Sequence, residues 1–164
     1  MKATISALAI LTLFASPAIH AHGDDTHTPA TSGAMQQESE ATSFGRAGDS
    51  GKVTRIVKIA MSDEIRFSPS RLVIKRGETI RFTVHNNGKL LHEMVLGTDD
   101  DLGKHAELMR KFPEMEHAEP QMVHVKPGQD GDMIWTFDKA GNFSFACLIP
   151  GHFEAGMRGT VVVQ

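Results

Sequence analysis

The chain contains a single cysteine, no tyrosine and no dominant charge of either sign. Cys147 is the only cysteine in 164 residues, so no internal disulfide can form. Tryptophan occurs once and phenylalanine nine times, and we therefore expect a core of Phe, Val, Ile and Met. The formal net charge is −3 and no basic stripe is present, which argues against nucleic acid as a partner.

A long apolar run occurs only at the N-terminus. Lys2 is followed by an apolar stretch over 7–15 and by small residues up to Ala21. This pattern is typical of a secretory signal peptide and is too short for a membrane span. We therefore predict a signal peptide at 1–21 with cleavage after Ala18 or Ala21. The mature protein is then exported to the periplasm and has no membrane span.

The chain after the signal peptide divides into a polar tail and a patterned domain. Residues 22–51 are rich in Gly, Ser, Thr and acidic residues, which predicts a disordered tail that contains His22 and His27. From 52 to 164, short segments of alternating polarity are separated by Gly and Pro turns, a pattern typical of an all-β sandwich or barrel. We expect strands at 53–61, 72–75, 79–85, 93–96, 122–126, 133–137, 142–146 and 159–163.

One stretch, at about 99–120, interrupts the succession of strands. The apolar residues Leu102, Ala106, Met109 and Phe112 have helical spacing, and Pro113 would end a helix. The pattern predicts an insertion with one short helix between two strands of the domain.

The lone cysteine begins a run of residues that bind metals. In an oxidising compartment Cys147 is a leftover thiol, an intermolecular partner or a metal ligand. His152 and Met157 follow it at equal intervals, and His92 lies upstream, behind an Asn-Asn-Gly turn. Two His, one Cys and a weak axial Met form the ligand set of a blue-copper site, because thiolate suits Cu(I) and imidazole suits both oxidation states. These four residues therefore indicate one copper ion.

Other uses of these residues fit the sequence less well. Structural zinc sites normally contain more Cys or His and seldom Met. A dinuclear copper site would need a second Cys in the loop, and the His-Cys-His array of a multicopper oxidase is missing. A nucleophilic Cys would need a His base, an orienting Asn or Asp, and a thiolate that no metal holds. With Met157 as a ligand no position is open for a substrate, so we do not expect an enzyme.

At these residues the chain resembles the cupredoxins, the small blue-copper proteins that include plastocyanin, azurin and rusticyanin. The resemblance covers about residues 52–164. It rests on the segment 84–88 leading to His92, the turn at 138–143, and Cys147-x4-His152-x4-Met157 followed by the strand at 159–163. It implies a Greek-key β-sandwich, a type 1 copper site and electron transfer through Cu(I) and Cu(II).

Two residues beside the expected ligands depart from a pattern common in the family. Glu93 stands where many members have an Asn that helps to tie the ligand loops together, and Leu148 stands where many have Ser or Thr. These neighbours tune the copper–sulfur bond. In cupredoxins the His of the Cys loop reaches the surface through an apolar patch. We expect Leu148 and Phe153 either to form such a patch on a monomer, for transient docking of a redox partner, or to fill the core under the loop.

Histidine and methionine are also common outside this motif. They are either further copper ligands or ordinary solvated and core side chains. The first use would suit a periplasmic copper-tolerance protein that buffers or delivers copper, which is the alternative to an electron carrier. The candidate residues are His105, Met109, Met115, His117, Met122 and His124.

Overall fold

The computed structural model describes residues 41–113, 115 and 117–164. The predicted signal peptide and residues 22–40 of the predicted tail lie outside these described residues. Within them, ten strands and one α-helix follow one another: β1 Arg46–Ala47, β2 Arg55–Ser62, β3 Arg66–Ser68, β4 Arg71–Ile74, β5 Thr79–Asn86, β6 His92–Gly97, α1 Asp99–Lys111, β7 Met122–Val125, β8 Asp130–Thr136, β9 Gly141–Ala146 and β10 Arg158–Val163.

The ten strands form two five-stranded sheets. One sheet has the order β1-β8-β5-β2-β3, and the other has the order β4-β10-β9-β6-β7. The pairs β2 with β5 and β4 with β10 are parallel, and the other neighbours are antiparallel. Side chains from both sheets share one core. The predicted all-β sandwich is therefore confirmed, with α1 as the short helical insertion between β6 and β7.

Alternating apolar residues build the core between the sheets. In β5, Ile80, Phe82 and Val84 are fully buried, as the pattern at 79–85 predicts. From the other sheet, Phe145 and Val161 are equally buried. Each large apolar side chain that leaves water in this way contributes roughly 1.5–3 kcal/mol to stability. The two sheets are thereby held rigidly enough to position residues at their ends.

The packed domain begins before Lys52, where the sequence pattern placed its start. Phe44 is buried and stacks on Trp135 with ring centroids 5.1 Å apart, and β1 pairs with β8. Gly45 permits this close approach, because a Cβ at that position would lie 2.2 Å from the carbonyl oxygen of Thr136. Residues 44–47, which the polar composition assigned to a disordered tail, are therefore part of the sandwich.

Helix α1 packs on the second sheet. Thr98 caps its N-terminus by accepting a hydrogen bond from a first-turn N–H. Leu102, Ala106 and Met109 are buried, as their helical spacing predicts, and they pack with residues of β6 and β9. Phe112 ends the helix and is exposed rather than buried. No helix in the described residues is long and apolar enough to cross a membrane.

Candidate metal centre

Three of the predicted ligands meet at one end of the second sheet. Because β6 and β9 are antiparallel neighbours, His92 at the start of β6 lies at the same end as Cys147, which follows β9. His152 lies in the loop from β9 to β10. One nitrogen of each imidazole and the Cys147 sulfur all lie within 4.8 Å of one another. Two imidazoles and a thiolate at this spacing are suitable donors for copper.

His92 is held so that one ring nitrogen is free. The side chain is fully buried, and its Nε2 lies 3.2 Å from Oδ1 of Asp63. Its Nδ1 has no hydrogen-bond partner among the described residues. A buried polar atom without a partner costs roughly 1–3 kcal/mol, a cost that a bound metal would remove. A carboxylate behind a ligating His commonly fixes its tautomer and orientation. The geometry therefore fits a metal ion on Nδ1.

Asp63, in the turn between β2 and β3, also fixes the loop before His92. Its carboxylate accepts hydrogen bonds from the backbone N–H groups of Lys89, at 2.7 Å, and Leu90, at 3.2 Å. The bond from Lys89 is the main reason that the pKa of Asp63 is lowered. The ionised carboxylate can only accept, so it pairs with the tautomer of His92 that carries N–H at Nε2 and a lone pair at Nδ1. No motif around Asp63 in the sequence indicates this role.

Burial keeps Cys147 a thiol until a cation is present. The side chain is fully buried, and this burial raises the pKa of the thiol to about 12. Hydrogen bonds from the backbone N–H groups of Glu93 and Ile149 act in the opposite direction but are weaker. The sulfur lies 3.3 Å from Nδ1 of His152. Such a thiol is a poor nucleophile at neutral pH, whereas a bound metal would stabilise its thiolate.

His152 offers a neutral imidazole at the edge of the site. The residue is half-buried, and burial lowers its pKa, with a further contribution from the neighbouring His92. The two rings are tilted, with centroids 4.9 Å apart. Because a metal needs the neutral form of imidazole, this environment favours ligation at neutral pH.

The loop from Cys147 to Met157 is fixed by its own backbone. The N–H of Cys147 donates to the carbonyl of Met157 at 3.1 Å, and the N–H of Met157 donates to the carbonyl of His152 at 3.0 Å. Gly151 and Gly156 have φ angles of 90° and 85°, which other residues rarely adopt. The Met157 side chain is fully buried in the same cluster as Cys147. Hydrogen bonds and glycine backbone angles within the loop therefore define its shape.

Glu93 ties the two ligand segments together. Its Oε1 accepts a hydrogen bond from the N–H of Leu148 at 2.8 Å, and its Oε2 lies 2.6 Å from Nε2 of His124. Glu93 and His124 are direct partners across β6 and β7. Since Glu93 is only 2% exposed, its contact with the N–H of Leu148 lies where water competes little, whereas His124 is exposed. A carboxylate thus makes the connection between loops that an Asn makes in many cupredoxins.

The predicted docking patch is wrong at Leu148. This side chain is 1% exposed and packs under helix α1, because the inserted helix covers the start of the Cys loop. Phe153 is half-buried against the same cluster, and the guanidinium of Arg158 lies 3.6 Å from the centroid of its ring. Exposed apolar side chains occur instead at Leu90 and Leu91, ahead of β6.

The further His and Met residues divide into two groups. Met109 and Met122 are buried in the apolar cluster between α1 and the second sheet, so their role is packing. The others come together around one surface cavity: His105, Met115 and His117, with His124 beside them.

Comparisons with known proteins indicate a copper-binding family. Residues 53–164 match the family model described as copper binding proteins, plastocyanin/azurin family. The chain is 48% identical over 157 residues to "Copper-resistant cuproprotein CopI" of Rubrivivax gelatinosus, across 96% of this chain and 94% of that protein. It is 34% identical to the protein of the same name from Pseudomonas aeruginosa, across 80% of this chain and 90% of that protein.

A solved structure of auracyanin B has the same fold. It matches this chain with a TM-score of 0.61 at 18% identity, across 76% of this chain and 96% of that one. The likeness bears on the fold alone, and it agrees with the two-sheet sandwich. Together with the family match over most of the residues, it confirms the expected cupredoxin: the chain belongs to the plastocyanin/azurin family of copper-binding proteins.

Proposed function

We propose that His92, Cys147, His152 and Met157 hold one type 1 copper ion. The observation that carries this proposal is the cluster of three donors in which Nδ1 of His92 is buried and unpartnered among the described residues. Met157, buried close to Cys147, would supply the weak axial thioether. Copper in such a site takes up and releases one electron. Four protein ligands leave no position for a substrate, so we propose a binding protein rather than an enzyme.

We further propose that the protein serves copper tolerance in the periplasm. Two features support this role: the copper-resistant cuproproteins to which most of the chain is similar, and the N-terminal segment with the features of a signal peptide. A buried thiolate, two imidazoles and a thioether bind copper of either oxidation state. Copper held there is kept away from the thiols of other exported proteins.

Growth of the native host in added copper tests this role. Deletion of the gene should lower the copper concentration that stops growth, and the wild-type gene should restore it. The Cys147→Ala variant should fail to restore tolerance, because the buried soft ligand is lost. The matched control is His85→Gln, which removes a surface contact to Asp130 outside the metal centre. Full tolerance with Cys147→Ala would contradict the proposal.

An electron carrier is the second candidate, and one observation favours it. Several backbone hydrogen bonds fix the loop from Cys147 to Met157. Ligands that move little between oxidation states allow fast electron exchange. A carrier role predicts that the deletion strain grows poorly without added copper, whereas a tolerance role predicts normal growth there. Growth rates at low and high copper therefore separate the two candidates.

A further inference from the structure

His105, His117 and Met115 form a cluster outside the proposed type 1 centre, and we propose that this cluster binds a second copper ion. Nε2 of His105 lies 2.8 Å from Nε2 of His117, and the two ring centroids are 4.8 Å apart. His105 is held by helix α1, whereas His117 lies in the connection from α1 to β7. The two nitrogens converge on one point from separate segments, as two ligands of one ion do.

A hydrogen bond between two imidazoles accounts for this contact only in part. One ring must carry its proton on Nε2 and donate it, while the other accepts with its lone pair. Nδ1 of His117 is buried and has no hydrogen-bond partner among the described residues. Burial lowers the pKa of His105, with a further contribution from the neighbouring His117, and this favours the neutral imidazole of His105. If the donating ring moves its proton to Nδ1, both Nε2 lone pairs are free for an ion and no proton is released.

The residues around the pair favour copper. Met115, which is 40% exposed, lines the same cavity of about 420 Å³ as both histidines, and Glu119 also lines it. Imidazoles with a thioether suit Cu(I), whereas structural zinc sites seldom include Met. His124 lies beside His117, but its Nε2 is engaged by Glu93. The proposed ligand set is limited to the two histidines whose Nε2 atoms face one another, His105 and His117, together with Met115. Met109 and Met122 are also excluded, because both are buried packing residues.

A Cu(I) titration of the whole mature protein against a chromophoric Cu(I) chelator tests this site. We expect His105→Gln and His117→Gln each to bind one equivalent fewer than the wild type, and the control His85→Gln to bind as many as the wild type. Any copper held by His and Met residues of the tail is common to all these proteins and cancels in the comparison. In a separate sample of each variant loaded with Cu(II), the visible band of the Cys147 centre should be unchanged, which also shows that the variants fold.

Two outcomes would overturn the second site. One is an unchanged number of Cu(I) equivalents, at unchanged affinity, in both His105→Gln and His117→Gln. The other is a wild-type protein in which zinc displaces copper from this pair in direct competition. The inference extends the proposed copper-tolerance function, and its failure can be told apart from a failure of that function. Cys147→Ala should lose the visible band of the Cu(II) protein and bind one Cu(I) equivalent fewer than the wild type. It should keep the Cu(I) equivalent that depends on His105.

Discussion

Replacement of Glu93 by Ala is the most direct test of how the copper loop is held. The carboxylate of Glu93 accepts from the N–H of Leu148, next to Cys147, and contacts His124 on the neighbouring strand. In Glu93→Ala the N–H of Leu148 stays buried without an acceptor. A buried donor that loses its partner costs roughly 1–3 kcal/mol. His124 is half-exposed and can turn to water, so we assign most of the cost to Leu148.

Urea unfolding of the copper-free protein measures this cost. Copper is left out because a ligand that binds only the folded state would add to the apparent stability. We expect the free energy of unfolding to fall by about 1–3 kcal/mol in Glu93→Ala. In the copper-loaded protein, the visible band should shift in energy and intensity, since the backbone next to the Cys147 sulfur is no longer fixed.

Glu93→Gln is the matched control for Glu93→Ala. Glutamine keeps a carbonyl oxygen for the N–H of Leu148, so stability should stay close to that of the wild type. The negative charge is lost, and the reduction potential should rise because a nearby anion stabilises Cu(II) more than Cu(I). If Glu93→Ala unfolds at the same urea concentration as the wild type and has the same spectrum, Glu93 does not hold the loop.

Three further predictions concern Leu148, Phe44 and Met157. Leu148→Asp should lower the free energy of unfolding by more than about 3 kcal/mol, because it buries an unpaired charge under α1; a stable, soluble Leu148→Asp protein in a urea titration would contradict the packing described above. Phe44→Ala should cost about 3–5 kcal/mol in the same measurement, since it uncovers Trp135, and wild-type stability would show that the segment before Lys52 is dispensable. Met157→Gln should keep copper but lower the reduction potential, because an oxygen ligand favours Cu(II); an unchanged potential in voltammetry would argue against an axial Met157.

Much of the fold and the donor cluster can be predicted from the sequence because their signals are local. Strand β5 alternates residue by residue, and a two-residue period is visible in any short window. Cys147 and His152 lie in one loop, and soft ligands at close spacing in an exported chain have few other uses. His92 is harder, because its place beside Cys147 depends on the pairing of β6 with β9. The resemblance to a known family supplied that contact.

The features that sequence reasoning did not find depend on contacts between distant residues. Phe44 lies in a polar stretch, and no neighbouring residue indicates that it packs on Trp135, which is 91 residues away in the sequence. The burial of Leu148 cannot be predicted from the sequence, because helical spacing does not give the position of helix α1 over the Cys loop. The role of Asp63 could not be predicted for the same reason. Asp63 lies in a turn between two strands, and it contacts His92 only in the folded sandwich.

The departure at position 93 and the histidine in β7 are best explained as one feature. An Asn there could accept from the N–H of Leu148 with its single carbonyl oxygen, but it would have no second acceptor for His124. A carboxylate has two, and β6 and β7 are paired so that Glu93 lies directly opposite His124. One oxygen therefore accepts from the loop of the proposed type 1 centre, and the other contacts the His124 ring, which lies next to His117. Glu93 therefore contacts both the loop after Cys147 and His124 on β7, whereas the single carbonyl oxygen of an Asn could accept from only one of them.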